Sequence, residues 1–131
     1  LKIKYNIIQE EEKMIKNSKL QNLFKLSSKV TVIVPATINI NEEIDNTIYI
    51  DRVASLMSDL FGGATATTTL GYWKSPIAGL VKEKSTTVFA YCSENDLQNG
   101  IDKVIDLCTE LKEELKQDAI ALEINGEMYF I

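Results

Sequence analysis

The chain has 131 residues, 45% hydrophobic and 25% charged, the profile of one globular domain that buries about two-thirds of its unfolded surface without a metal or disulfide staple. It contains no His and two Cys, which removes the commonest general base, the commonest metal ligand and any disulfide framework. The net charge of −5 is unevenly split: residues 1–29 carry seven Lys against three Glu, whereas residues 30–131 carry seven basic against sixteen acidic side chains. A basic leader before an acidic core argues against direct nucleic-acid binding by the core.

Residues 1–28 read as a Lys-rich helical arm. Over 7–27, Ile8, Ile15, Leu23 and Phe24 approximate one face, and the acids Glu10, Glu11 and Glu12 precede the lysines as a helix dipole favours. The opening LKIKYNIIQEEEK turns acidic before an export-signal core forms, and no apolar run reaches the roughly 20 residues of a membrane span. A cytoplasmic protein without membrane contact is therefore expected. Charge polarity also suits an arm that lies on a neighbouring acidic core or touches nucleic acid or acidic lipid, with a solvated leader as the plainer reading.

The main domain, 29–131, opens with KVTVIVPAT, alternating and β-branched, a strand that Pro35 ends or places at an edge. After the polar connection NINEEIDN, one of Asp45, Asn46 and Thr47 caps a helix whose apolar stripe is Tyr49, Val53, Leu56, Met57 and Leu60, ended by Gly62 and Gly63. Strands at 64–73 and 80–92 flank the reversing loop KSPIAG. Ser93 to Asp96 starts a second helix with Leu97, Ile101, Val104, Ile105, Cys108, Leu111 and Leu115 on one face and a costly Gly100 inside it. Cys108 on that stripe reads as a buried reduced thiol. The Asn125-Gly126 pair then predicts a β-hairpin. The order β-α-β-β-α-β predicts an α+β, ferredoxin-like antiparallel sheet with two helices on one face, an extra C-terminal hairpin strand and the N-terminal arm.

From about residue 30 to the C-terminus the motifs VPAT (34–37), LFGGAT (60–65), Gly71 with Trp73, GLVKE (79–83) and KQDAIALEINGEMYFI (116–131) resemble small, uncharacterised bacterial and mobile-element proteins classed as a domain of unknown function. The resemblance implies the ferredoxin-like fold and brings no activity with it. The arm lies outside it.

Function is sought in the Thr-rich stretch. Pairing the two strands with Trp73 opposite Leu80 places Thr65, Thr67, Thr69, Trp73, Lys82, Lys84 and Thr86 on one open face, and Ala64, Ala66, Leu70, Tyr72, Val81, Phe89 and Tyr91 on the other. A one-residue slip would exchange the faces. Hydroxyls, two ammonium groups and an indole suit a small anionic or planar ligand. The same face also suits self-association around Trp73, or is simply a solvated strand face with aggregation-blocking lysines. Glu83 is the candidate acid or base if the chain is an enzyme, and otherwise a surface ion pair with its lysine neighbours. GGAT at 62–65 has the helix-then-strand order opposite to that of a phosphate loop. The Glu42, Glu43 and Asp45 cluster matches no calcium loop, so no metal or other cofactor is expected. Asp106, Glu110, Glu113 and Glu114 need only solvation.

The reading that follows is a non-catalytic, homo-oligomeric binding protein that sequesters a small anionic ligand or docks on a protein partner. Two alternatives differ in class: a small-substrate enzyme with a pocket between sheet and helices, and an acidic mobile-element inhibitor of a nucleic-acid-targeting defence system.

Overall fold

The computed structural model describes residues 16–131; the expected helical positions Ile8 to Ile15 lie outside them. The described part of the arm is helical only at α1 (Ser18–Gln21), where the Asn17 side chain accepts from the Lys19 and Leu20 amides. Leu23 and Phe24 therefore share no helical face, and every residue from 16 to 27 is exposed.

The remaining elements are β1 (Ser28–Pro35), a two-stranded hairpin of β2 (Thr37–Ile38) and β3 (Glu42–Glu43), α2 (Thr47–Phe61), β4 (Thr65–Ser75), β5 (Gly79–Cys92), α3 (Glu94–Glu114), β6 (Ala121–Ile124) and β7 (Glu127–Phe130). Five strands form one sheet in the order β4-β5-β1-β6-β7, every neighbouring pair antiparallel. β1 and β4, joined through α2, are separated by β5, and β5 and β6, joined through α3, are separated by β1. This interleaved antiparallel sheet is the α+β arrangement expected from the element order. β1 is central, so Pro35 marks its end rather than an edge.

Alternation in β1 and β5 sends Val30, Val32, Val34, Val88, Ala90 and Cys92 to the face on which both long helices pack. There they meet Val53, Met57 and Phe61 of α2 and Val104, Cys108 and Leu111 of α3. Leu111 is fully buried, and truncating such a side chain to Ala costs roughly 2–5 kcal/mol. Cys108 is buried as expected, and desolvation pushes its thiol up to about 12.

Local chemistry sets the boundaries. The Ser93 hydroxyl accepts from the Asp96 amide at 3.1 Å to start α3. At α2, Asp45 accepts from the amide and the hydroxyl of Thr47, while Asn46 turns its amide back to the Val34 and Pro35 carbonyls. Gly62 ends α2 with φ 92°. Asn125 and Gly126, with φ 52° and 86°, make the β6–β7 turn. The Asn125 side chain accepts from the Lys29 amide at 2.8 Å, pinning the turn to β1.

The acids on the polar side of α3 do more than face solvent: Arg52 of α2 bonds both Glu110 and Glu114. Exposed pairs of this kind contribute about 0.2–1 kcal/mol each. Among the described residues no helix is long and apolar enough to cross a membrane.

Candidate functional site

β5 is longer than the strand it serves. Residues 85–89 pair with β1 on one side and β4 on the other and 90–92 with β1 alone, whereas 79–84 pair with β4 alone. The β4–β5 hairpin therefore runs past the sheet as an arm, with Leu70, Tyr72, Trp73, Ile77 and Leu80 all exposed. Its turn is Pro76 to Ala78, closed by Gly79 at φ 72°, and the Ser75 hydroxyl accepts from the Ile77 and Ala78 amides. Ser at the first position, Pro at the second and a glycine in the left-handed region specify a three-residue hairpin loop.

That loop fixes a register one residue away from the expected one. Trp73 stands opposite Val81, not Leu80. Thr65, Thr67, Thr69 and Trp73 therefore share a face with Val81, Glu83, Ser85, Thr87, Phe89 and Tyr91, while Lys82, Lys84 and Thr86 fall on the other face with Ala66, Leu70 and Tyr72. The expected grouping of the threonines and Trp73 with the two lysines is corrected accordingly. On the first face Thr69 is hydrogen-bonded to Ser85 and Thr87 at 2.9 and 3.0 Å, so the hydroxyls satisfy one another. Behind them Lys29 lies over the Phe89 ring at 4.7 Å. On the second face the three large exposed side chains are opposed by lysines: Leu70 by Lys84, Tyr72 by Lys82 and Leu80 by Lys74.

Glu83 also departs from expectation. Successive strand residues point to opposite faces, so Lys82 and Lys84 cannot share its side. Its carboxylate instead accepts from the Trp73 indole N–H at 3.0 Å.

The two faces meet at a cleft of about 770 Å³ between the hairpin arm and the 36–44 loop, lined by Trp73, Val81, Glu83, Lys82, Lys84, Ile40 and Glu43 among others. The loop is tied to the arm by the Ala36 amide donating to the Lys84 carbonyl, and is closed on itself by the Ile44 amide donating to the Ala36 carbonyl. Ile40 sits at φ 72°, a left-handed conformation that costs a β-branched residue on the order of 1–2 kcal/mol and collects at functional sites. The sequence does not reveal the part played by this loop, because nothing in NINEEIDN marks Ile40 for a positive φ. Beside the cleft, a smaller depression of about 320 Å³ brings Thr69, Ser85, Thr87, Glu83 and Gln117 together. Among the described residues no group of three His, Cys, Asp or Glu side chains is placed to hold a metal ion.

No family model and no curated protein matches the chain. Solved structures do. A phage SAM lyase in complex with S-methyl-5'-thioadenosine is similar with a TM-score of 0.59 at 18% identity, covering 90% of this chain and 95% of that one. Its apo state gives the same score and identity. CutA from Synechococcus elongatus reaches a TM-score of 0.47 at 8% identity, over 85% of this chain and 87% of its own. At these identities the likeness to the phage lyase is one of fold.

Proposed function

We propose that this chain is a ferredoxin-like, homo-oligomeric protein that binds a small adenosyl-bearing molecule in the cleft between the hairpin arm and the 36–44 loop. One observation carries the reading: a cleft of nucleoside scale holds an indole, two lysines and two carboxylates together. Ligand clefts typically span about 300–1,000 Å³. The indole offers a stacking surface for a base. Lys82 and Lys84 suit a carboxylate, and Glu83 and Glu43 suit a cationic or hydroxyl-rich part. S-adenosylmethionine, with one carboxylate beside an ammonium and a sulfonium, carries all of these groups; its net positive charge makes this a different ligand class from the small anion expected from the sequence. The likeness to a phage SAM lyase, over nearly the full length of both chains, supports this chemistry. Self-association follows from the arm, because a two-stranded ribbon with apolar side chains on both faces is marginal in water without a cover.

The test is a thermal-shift and calorimetric comparison of S-adenosylmethionine, S-methyl-5'-thioadenosine, adenosine and inorganic phosphate. Ligand at a hundred times its Kd stabilises by about 2.7 kcal/mol, so S-adenosylmethionine is expected to raise Tm clearly. Stabilisation by phosphate alone, or by none of the four, would remove the adenosyl reading. A second reading, that the chain cleaves S-adenosylmethionine, is favoured by the same neighbour. Chromatographic appearance of S-methyl-5'-thioadenosine on incubation, lost in Glu83→Gln, decides for it; binding without turnover decides for sequestration.

A further inference from the structure

We propose that the N-terminal arm of one copy docks, through Leu20, Leu23 and Phe24, into the acidic groove between α2 and α3 of a second copy. The groove measures about 760 Å³ and is lined by the half-buried Leu56 and Leu107 and the exposed Ile48. Its rim carries Asp51, Asp59, Asp106 and Glu110 against Arg52 and Lys103. Arg52 is held by Glu110 and Glu114, which leaves the three aspartates as the dominant charge facing an incoming segment.

The arm is complementary to that groove in both respects. Residues 16–27 hold Lys16, Lys19 and Lys25 and no acid. Leu20, Leu23 and Phe24 are exposed, Phe24 at 89%; α1 ends at Gln21, so the three form one apolar face only when the helix extends on docking, which their three- and four-residue spacing suits. α1 already starts a helix there under the Asn17 cap, and an amphipathic helix laid between two helices is a recurrent recognition mode. None of residues 16–27 is buried against its own domain, so the arm is available to another. The hairpin arm also pairs lysines with apolar groups, but there each lysine already lies across from an apolar partner on the neighbouring strand. This interface is separate from the ligand cleft, and neither proposal depends on the other.

The experiment uses full-length chains that carry single added cysteines. Gln21→Cys on the arm and Ser55→Cys in the groove are both at exposed positions, and the natural Cys92 and Cys108 are buried and do not compete. The two variants are mixed and mildly oxidised. A mixed disulfide dimer is expected, reduced about tenfold by Phe24→Glu, the scale of one lost interface anchor. Lys19→Glu with Lys25→Glu should weaken it as well, and Asp51→Lys with Asp59→Lys should restore that loss. A yield no greater than with Glu127→Cys in place of Ser55→Cys overturns the proposal. So does a link formed within one chain carrying both cysteines, and so does transfer of the link from the arm to Lys74→Cys at the hairpin tip.

Discussion

The Trp73 indole is bonded to Glu83 at 3.0 Å although neither residue stands opposite the other. The register sets Glu83 across from Gly71 and Trp73 across from Val81. Gly71 leaves its side of the ribbon bare, and the indole leans along the diagonal into that space, the reach expected of an aromatic side chain two residues out of register. The pair stands at the wall of the cleft, and the chain has no second Trp. In Glu83→Gln the acceptor survives and the charge is lost, so stability should change by no more than about 0.5 kcal/mol. Affinity for S-adenosylmethionine should fall about tenfold or more, because a hydrogen bond to a charged group contributes about 1.5–3 kcal/mol. Calorimetry gives the affinity and Trp emission reports the pair itself. Unchanged affinity in Glu83→Gln would take Glu83 out of the site.

Ile77 at the tip of the hairpin arm is 97% exposed, with Leu80 beside it. On a monomer these side chains have no cover. Tyr72→Asp with Leu80→Asp places charge on the arm and leaves the core cluster untouched, since neither residue belongs to it. Light scattering coupled to size exclusion is expected to show an oligomer for the parent chain and a smaller species for the variant, with unchanged far-UV circular dichroism. A parent chain that is monomeric at tens of micromolar (about 6–7 kcal/mol of association on the 1 M scale) would sink the oligomeric reading.

Legibility followed how locally each feature is encoded. Gly62, Ser93 and Asn125-Gly126 act through their own backbone conformation or a hydroxyl within three residues, so the sequence exposes them directly. The β4–β5 register depends on whether the connecting loop has an odd or an even number of residues. The signal was present in Ser75-Pro76 with Gly79, but reading KSPIAG as a generic reversing loop discards it. One residue of error then moved Lys82 and Lys84 to the opposite face. The cleft was beyond reach for another reason: it unites the 36–44 loop with a hairpin about forty residues away, and the strained Ile40 has no local signature.

Gly100 shows how a residue that looks costly in a helix is justified by packing. A Cβ built there would lie 3.2 Å from the Phe61 ring and 3.3 Å from Leu60, at the crossing of α2 and α3. Ala gains roughly 1 kcal/mol of helix propensity but presses on both side chains. Gly100→Ala is therefore expected to be close to neutral, because the half-buried Leu60 can shift by the few tenths of an ångström required and the propensity gain offsets the pressure on Phe61. Gly100→Val adds bulk that cannot be accommodated and should cost about 1–3 kcal/mol. Urea denaturation with an unchanged slope measures both. A stabilised Gly100→Val would show that the helices are not in close contact at this point.

Asp45 provides the pH-dependent element. Its carboxylate accepts from the hydroxyl and then the amide of Thr47, and these two bonds hold its pKa below the ordinary 3.8. A carboxylate whose pKa is depressed on folding contributes stability that is fully present above the unfolded value and lost as pH falls through the folded one. Acidification below the usual carboxylate range should therefore loosen the start of α2. Asp45→Asn keeps an acceptor for both Thr47 donors but, like the protonated acid, lacks the charge that strengthens them, so its Tm should lie slightly below the parent's near neutrality, fall less steeply and meet it in acid. Asp45→Ala loses the cap at every pH and should melt lower throughout. Thermal melts of the three chains across that range distinguish these outcomes. If Asp45→Asn retains the full acid dependence of the parent, the loss of stability originates at carboxylates other than Asp45.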